Sequence, residues 1–224
     1  MYTVSGAGPF SGEDVSFDAI IEDLANTGFS VIPGFFSSTW ANALMEENLA
    51  IWEDGDFKKA AVGRGKRKKR RAEIRTDSIH WLTPRTRTPL QEIYWNRLEA
   101  LREELNRSLF LGLFELEAHL ARFSPGGYYK PHLDQHQKTS FRILSAITYL
   151  DEEWEEEDGG NLRLFTDRSA GVEGPFLDVF PEPGKLVLFL AADFWHEVRI
   201  ARRPRHTITG WFRRREAPVP GVFG

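Results

Sequence analysis

The sequence predicts a mainly β fold, an antiparallel sandwich or jelly roll with helices packed on one side. From residue 115 onward, short runs of β-branched and aromatic residues alternate with Gly/Pro turns. No long amphipathic helix separates these runs, so the parallel strand–helix–strand units of an α/β fold are not expected. The part before residue 115 reads as mostly helical, which supplies the supporting helices.

Three helices are expected in the first half of the chain. Apolar residues recur at helical spacing after Ser16, and this pattern stops at Gly28. Ser38 is a candidate cap for a second helix, whose amphipathic face extends to Trp52. A short strand between these two helices and a third, longer helix are expected over residues 29–32 and 89–109.

Seven strands are expected in the second half. Each is a short apolar or β-branched run that a Gly, Pro or Asp turn closes. The most apolar run, 186–192, is far too short to cross a bilayer, so we interpret it as a buried strand. The candidate strands cover residues 116–123, 128–134, 142–150, 162–165, 186–190, 196–200 and 206–213.

Length and composition bound the class of protein. The chain has 224 residues, of which 41% are hydrophobic, and we expect a single domain over 1–224. With 29 basic and 33 acidic residues the formal net charge is −4, which excludes an overall electropositive nucleic-acid binder. Cysteine is absent, which excludes a disulfide scaffold, a thiolate nucleophile and any Cys-based metal site. The N-terminal residues lack the pattern of a signal peptide, so a cytoplasmic location without a membrane partner is expected.

Two charge runs interrupt this ordinary composition. Residues 58–71 contain nine basic residues in fourteen, and residues 151–158 contain seven acidic residues in eight, interrupted by Trp154. The default interpretation of each is a solvated loop. The alternative for the basic run is a mobile lid that meets an acidic partner or nucleic acid in a salt-sensitive way.

A metal site is predicted around the histidines. In a strand, residues i and i+2 point to the same face, so His132 and Asp134 present an imidazole and a carboxylate together while Leu133 turns away. A second imidazole would complete a set of two His and one carboxylate, which suits non-haem Fe(II). His196, just after the apolar strand 186–190, is the candidate for that third ligand.

An arginine is expected on the same inner surface. A turn at Arg203-Pro204 would bring the last strand back beside the earlier ones, with Arg205, Thr209 and Trp211 on one face. A guanidinium inside a β-barrel is costly unless it is paired, and its planar shape suits a carboxylate. The metal-ligating set and a carboxylate-binding arginine are therefore expected in one pocket.

In this order and at these spacings, the motifs resemble the Fe(II)- and 2-oxoglutarate-dependent dioxygenases, and within them the prolyl 4-hydroxylase-like branch. The segments that carry the resemblance begin with Phe-Ser-Pro-Gly-Gly-Tyr-Tyr-Lys-Pro-His-Leu-Asp. The upstream segments resemble bacterial prolyl hydroxylases related to the oxygen-sensing hydroxylases of animals. The downstream segments are 123–134, 146–151, 158–165 and 196–198. The upstream segments are 63–64, 74–82 and 106–113.

The resemblance implies a fold and a division of the chain. The fold is a double-stranded β-helix, a cupin-like jelly roll, with the N-terminal helices packed on one sheet. Residues 1–114 would supply helical support and a substrate-side hairpin over 58–82, and residues 115–215 would form the double-stranded β-helix core.

The resemblance also implies residue roles. His132, Asp134 and His196 would be the catalytic residues that ligate Fe(II), with O2 as a co-substrate and ascorbate as a stimulant. The residues implied for 2-oxoglutarate are Arg205, Tyr149 and Thr209, and those implied for the substrate are Tyr129, Arg142, Trp211, Arg75 and Asp77.

The implied reaction is hydroxylation of a prolyl residue in a protein or peptide, with release of succinate and CO2. One bacterial relative acts on elongation factor Tu, which makes a translation factor a candidate partner. The alternatives are a dioxygenase for another substrate class, nucleic acid or small molecule, or a non-catalytic module that senses iron or oxygen. Nucleic acid is disfavoured, since nucleic-acid demethylases typically carry a second arginine where this chain has Trp211.

Two positions depart from the family pattern. Phe123 stands where relatives usually carry Tyr, so one hydroxyl is missing from the co-substrate network and 2-oxoglutarate is expected to bind somewhat more weakly. Thr76 stands where near relatives often have Gly, so the substrate-facing loop is expected to differ in shape.

The other histidines have structural interpretations. His119 is expected to pack in a strand near the pocket, and His206 is expected on the face opposite Arg205. His136 is expected in an exposed loop and His80 near the substrate groove.

Overall fold

Two antiparallel sheets form the body of the molecule, as a computed structural model of residues 15–60, 73–135 and 141–215 shows. Three helices precede or separate the early strands: α1 (Phe17–Asn26), α2 (Ser38–Glu53) and α3 (Pro89–Leu109). The strands are β1 (Phe29–Ile32), β2 (Lys58–Lys59), β3 (Ser78–Trp81), β4 (Glu115–Phe123), β5 (Tyr129–His132), β6 (Arg142–Tyr149), β7 (Leu162–Phe165), β8 (Phe176–Val179), β9 (Leu186–Leu190), β10 (His196–Val198) and β11 (Arg205–Arg213).

The strand order is that of a jelly roll. The larger sheet runs β1-β9-β6-β11-β4-β3-β2 and the smaller sheet runs β5-β10-β7-β8, with antiparallel neighbours in both. The predicted fold class, mainly β with helices on one sheet, is confirmed. Strands β1, β2 and β3 lie before residue 114, so the expected support region and the expected core share the larger sheet.

The helices begin where small polar side chains cap them. Ser16 caps α1 by accepting from the backbone N–H of Asp18. The cap of α2 is Ser37, whose Oγ accepts from the N–H of Trp40, so the predicted cap Ser38 is wrong by one residue. Ser37 has the extended backbone that a cap needs, whereas Ser38 is already the first helical residue.

Two strands are shorter than expected from the sequence. The expected strand 128–134 is only Tyr129–His132, and the expected strand 196–200 ends at Val198, next to a register shift between His196 and Val198. Three strands were not predicted as separate elements, namely β2, β3 and β8, because each is short and exposed along part of its length.

Helices and larger sheet share one apolar core. Leu98, Leu101 and Leu105 of α3 are fully buried in the same cluster as Ile208 and Phe212 of β11. The alternation along β11 places these two residues toward the helices and leaves Thr209 and Trp211 for the opposite face. A second apolar cluster contains residues of both sheets, so the two sheets also pack on each other.

Several expectations fall outside the described residues. Lys58 and Lys59 form β2, which pairs with β3 and so gives the two ends of the expected hairpin 58–82, but residues 61–71 of the basic run lie outside. His136 also lies outside. Among the helices that the structure describes, none has the length and apolar character needed to cross a membrane.

Candidate active site

Three candidate metal ligands converge at one end of the smaller sheet. His132 is the last residue of β5, His196 is the first residue of β10, and the two are paired across these strands. Asp134 follows two residues after His132, and the ligand atoms of the three side chains all lie within 4.8 Å of one another. The Nε2 atoms of His132 and His196 are 3.7 Å and 3.5 Å from the carboxylate oxygens of Asp134.

Backbone carbonyls orient both imidazoles. Nδ1 of His132 lies 2.8 Å from the carbonyl oxygen of Lys130, and Nδ1 of His196 lies 3.1 Å from that of Phe194. A carbonyl only accepts, so each Nδ1 carries the proton and each Nε2 keeps its lone pair. Both lone pairs are thereby available to one metal ion beside Asp134.

Asp134 is positioned by a loop rather than by the strand. The strand β5 ends at His132, so the i, i+2 argument from the sequence does not describe how the carboxylate is held. Ser145 of β6 donates its hydroxyl to Oδ2 of Asp134 at 2.7 Å, and the N–H of Gln135 donates to the carbonyl oxygen of Ala191. Ser145 was not among the site residues expected from the sequence. The signal that could have indicated it is the alternation of β6, which places Ser145, Ile147 and Tyr149 on one face.

The electrostatics favour the protonation state that a divalent metal requires. Burial, with a further contribution from His196, lowers the pKa of His132 to about 3. Burial acts to raise the pKa of Asp134, but the neighbouring His196, His132, Arg142 and Trp211 together hold that pKa below its usual range. At neutral pH the site therefore presents a neutral His132 and an ionised carboxylate, and no proton must leave them for a metal to bind.

A buried arginine lies at the inner end of the same pocket. Arg205, the first residue of β11, is 1% exposed, and its Nε and Nη2 atoms have no hydrogen-bond partner among the described residues. Its guanidinium lies between the rings of Phe123 and Tyr149, 5.4 Å and 5.1 Å from their centroids. No carboxylate is paired with this buried cation among the described residues, and two of its nitrogens are unused, so the arrangement fits a small anionic ligand such as a carboxylate.

Tyr149 and Thr209 lie near this arginine on neighbouring strands. The Tyr149 hydroxyl donates to the carbonyl oxygen of Val179, and burial raises the pKa of Tyr149, so the phenol stays protonated. Tyr149 is fully buried behind the pocket surface, whereas Thr209 is part of the pocket lining.

Paired charges and aromatic rings also line the pocket. Arg75 is paired with Asp77, with Nε 2.7 Å from Oδ1, and its guanidinium lies 4.4 Å from the ring centre of Tyr129. The Tyr129 ring stacks on His132 at a centroid distance of 3.5 Å. This contact places an aromatic surface directly beside the candidate metal ligands.

A second ion pair supports Trp211. Arg142 is bonded to Glu117 at 2.8 Å and lies 3.4 Å from the ring centre of Trp211. His119 packs 5.3 Å from Trp211 and lines the pocket, as expected from its strand position. Burial, with Arg75 and Arg142 nearby, lowers the pKa of His119 well below its usual range, so this imidazole is neutral.

The structure collects most of the expected site residues in one pocket. His206 lies on the opposite face of β11, where it is hydrogen-bonded to Asp151, and His80 packs against Phe57. The expected site residues that line the pocket are His132, Asp134, His196, Arg205, Thr209, Tyr129, Arg142, Trp211, Arg75 and Asp77.

Comparisons with known proteins identify the family. The family model of the 2OG-Fe(II) oxygenase superfamily matches residues 118–213. A solved prolyl-4-hydroxylase of Pseudomonas putida is 35% identical over 90% of this chain and 100% of that chain, with a TM-score of 0.79. The chain belongs to the 2OG-Fe(II) oxygenase superfamily. As such it is a 2-oxoglutarate-dependent dioxygenase of the prolyl 4-hydroxylase-like branch.

Two more distant structures share the fold of this oxygenase. A prolyl hydroxylase from Trichoplax adhaerens, solved with a peptide of hypoxia inducible factor, is 23% identical over 88% of each chain, with a TM-score of 0.77. A prolyl 4-hydroxylase from Phytophthora capsici is 23% identical over 92% of this chain and 64% of that chain, with a TM-score of 0.72.

Family membership implies Fe(II) and 2-oxoglutarate, and the residues present fit both. Two imidazole nitrogens and a carboxylate form the donor set that non-haem Fe(II) oxygenases use. The unpaired, buried nitrogens of Arg205 match the need of 2-oxoglutarate for a cationic partner at its far carboxylate.

Proposed function

We propose that this oxygenase hydroxylates a prolyl residue in a protein or peptide substrate, with release of succinate and CO2. The observation that carries the proposal is the 35% identity to the P. putida prolyl-4-hydroxylase over all of that chain. The pocket supports it, because the rings of Tyr129 and Trp211 offer apolar surface for a pyrrolidine ring beside the candidate metal ligands.

In this proposal His132, Asp134 and His196 are the catalytic residues and hold Fe(II). Fe(II) bound there, together with 2-oxoglutarate and O2, would supply the oxidising power needed to convert a C–H bond of the substrate to C–OH. The two Nδ1–H···O=C bonds and the Ser145 hydroxyl keep the three side chains in place for the ion.

The co-substrate residues are Arg205, Tyr149 and Thr209. Arg205 would pair with the far carboxylate of 2-oxoglutarate through its unpaired nitrogens, and the enclosed position would strengthen that interaction by excluding water. Thr209 would contact the same ligand from the pocket wall, and the protonated Tyr149 hydroxyl would supply a donor if it turns from Val179.

The substrate residues are Tyr129, Arg142, Trp211, Arg75 and Asp77. The two arginines are already paired with Asp77 and Glu117, so they orient the aromatic rings and present N–H groups to a peptide backbone. A flexible extended peptide fits this description better than a nucleic acid, which would require free cations for its phosphates.

Elongation factor Tu is the candidate protein substrate, taken from the bacterial hydroxylases that the sequence resembles. This substrate would place the reaction in the cytoplasm. Ascorbate is expected to stimulate turnover as in related hydroxylases.

An anaerobic titration tests the metal and co-substrate assignments. Addition of Fe(II) and then 2-oxoglutarate to the metal-free protein is expected to give the visible charge-transfer absorption of the chelate, and Arg205→Ala is expected to weaken it. Absence of the band in folded protein would contradict the assignment of a dioxygenase site.

Incubation of elongation factor Tu with the loaded enzyme, followed by mass spectrometry for hydroxyproline, tests the substrate. Oxidation of a nucleic acid or small molecule instead would overturn the prolyl assignment.

A further inference from the structure

The first residues of β11 are tied to the acidic segment 151–158, which sequence analysis interpreted as a solvated loop. Asp151 is only 3% exposed, and both of its carboxylate oxygens are used by His206. Oδ2 accepts from the backbone N–H of His206 at 2.7 Å, and Oδ1 lies 2.8 Å from Nδ1 of the same residue. The beginning of the acidic run is therefore a buried anchor and not a solvated loop.

The Asp151 carboxylate takes the place of a strand neighbour beside the start of β11. Backbone pairing between β6 and β11 stops at Tyr149 and Thr207, and the N–H of Leu150 still donates to the carbonyl oxygen of His206. Beyond that point no residue of β6 remains to pair with β11, and the Asp151 carboxylate accepts the N–H that a further backbone carbonyl would have accepted. On this side, Asp151 fixes the backbone next to Arg205.

The residues before Arg205 are attached to the same segment. The backbone N–H of Arg202 donates to the carbonyl oxygen of Asp158, and Nη1 of Arg203 donates to the carbonyl oxygen of Glu153 at 2.9 Å. Arg205 thus lies between two points that are both bonded to residues 151–158.

Just beyond the segment, Gly160 lies close to the Arg205 side chain. A Cβ built on Gly160 would lie 3.2 Å from Cδ of Arg205 and 3.0 Å from the Trp154 ring, so the Gly160 backbone lies beside both the ring and the arginine stem. The Trp154 indole is held in place by its N–H, which donates to the carbonyl oxygen of Gly159 at 2.8 Å. Gly160 therefore borders the arginine stem, and the Trp154 ring packs against Gly160 and so limits where this backbone can lie.

We propose that Asp151 and Trp154 are positioning residues that hold Arg205 in the geometry that binds the far carboxylate of 2-oxoglutarate. This inference rests on the proposed role of Arg205. A bidentate guanidinium–carboxylate pair depends on orientation, so loosening the backbone or the stem of Arg205 lowers affinity for the co-substrate before it affects the metal site.

The test measures the dissociation constant of 2-oxoglutarate from the charge-transfer absorption of the anaerobic Fe(II) protein. Asp151→Ala is expected to raise this constant about tenfold. Asp151→Asn is expected to leave the dissociation constant within about twofold of the wild-type value. Its amide can accept from the His206 N–H and donate to Nδ1 of the other imidazole tautomer. Trp154→Ala, a change at a half-buried surface ring, is expected to raise it about threefold.

A matched control separates positioning from general loss of stability. Asn106 of α3 also bonds to backbone through both of its side-chain atoms, donating to the carbonyl oxygen of Leu113 and accepting from its N–H, both at 2.7 Å. Asn106→Ala is expected to lower the melting temperature without changing the 2-oxoglutarate constant. For Asp151→Ala, kcat of uncoupled succinate formation at saturating 2-oxoglutarate is expected to stay near wild type while KM rises.

The variants distinguish a failure of the positioning inference from a failure of the proposed role of Arg205. If Arg205→Ala leaves the constant unchanged, the proposed role of Arg205 fails. If Arg205→Ala raises it strongly while Asp151→Ala and Trp154→Ala do not, the positioning inference is overturned and the proposed function stands. If Asp151→Ala does not fold, Trp154→Ala decides: an unchanged constant overturns the inference. Equal effects of Asp151→Ala and Asn106→Ala would also overturn it.

Discussion

His132 and His196 face each other across the antiparallel strands β5 and β10, with ring centroids 4.1 Å apart. Each ring is oriented by a carbonyl two residues earlier in its own strand or loop, Lys130 for one and Phe194 for the other. Strand pairing therefore brings the two histidines together, and the third member, Asp134, is held by the hydrogen bond from Ser145.

Removal of that contact should weaken the metal site. We expect Ser145→Ala to lower Fe(II) affinity about tenfold, because partners behind metal ligands typically contribute that much to affinity. Anaerobic equilibrium binding of Fe(II) measures the change. Thr148→Val is the matched control: Thr148 is a buried residue of the same strand, and its hydroxyl has no partner among the described residues. Equal affinities of the Ser145 and Thr148 variants would contradict the prediction.

Restoring the family hydroxyl at position 123 should tighten co-substrate binding. Phe123 lies directly opposite Arg205 in the β4–β11 pairing and lines the pocket. We expect Phe123→Tyr to lower the dissociation constant of 2-oxoglutarate about fivefold, the gain from one added hydrogen bond. Titration of the Fe(II) protein with 2-oxoglutarate checks this. Phe176→Tyr, at a half-exposed position of β8, should leave the constant unchanged. Weaker binding by Phe123→Tyr would show that the wall has no room for the hydroxyl.

The neutral His119 should make the metal-free protein less stable in mild acid. Its folded-state pKa is depressed, by burial and then by Arg75 and Arg142, whereas in the unfolded chain it titrates near 6.5. Below that pH the unfolded state binds one proton more than the folded state. The free energy of unfolding therefore decreases as the pH falls through about 6.5.

His119→Gln removes this proton linkage. Between pH 7.5 and 5.5, wild type should lose about 1 kcal/mol more of its free energy of unfolding than His119→Gln does. Urea unfolding of the two metal-free proteins at both pH values measures the difference. Parallel losses would mean that His119 becomes protonated in the folded state.

The ion pair at the substrate side should contribute strongly to stability. Arg75 and Asp77 side chains are 14% and 1% exposed, so loss of one partner leaves the other charge poorly solvated. We expect Asp77→Ala to reduce the free energy of unfolding by about 3 kcal/mol. The comparison is Glu104→Ala, which breaks the more exposed pair with Arg107 in α3 and should cost less than about 1 kcal/mol. Similar losses for both variants in urea unfolding would contradict the prediction.

Much of the fold could be predicted because local patterns determine it. The capping Ser16, the apolar period of α3 and the alternation along β11 each specify an element without distant contacts. The short strands β2, β3 and β8 could not be predicted, since two to four residues that are only partly buried carry little periodicity. Their strand geometry comes from the neighbours with which they pair, such as β4 beside β3.

The sequence by itself determined the chemical class of this protein: the ordered motif around His132, Asp134, His196 and Arg205 points to one donor set and one cationic partner. Only the tertiary structure decided how these residues are held. Asp134 lies past the end of its strand and depends on Ser145, and Arg205 adjoins a backbone that Asp151 fixes. Both partners are distant in sequence, and contacts of this kind form only when the sheets pack, so no local pattern encodes them.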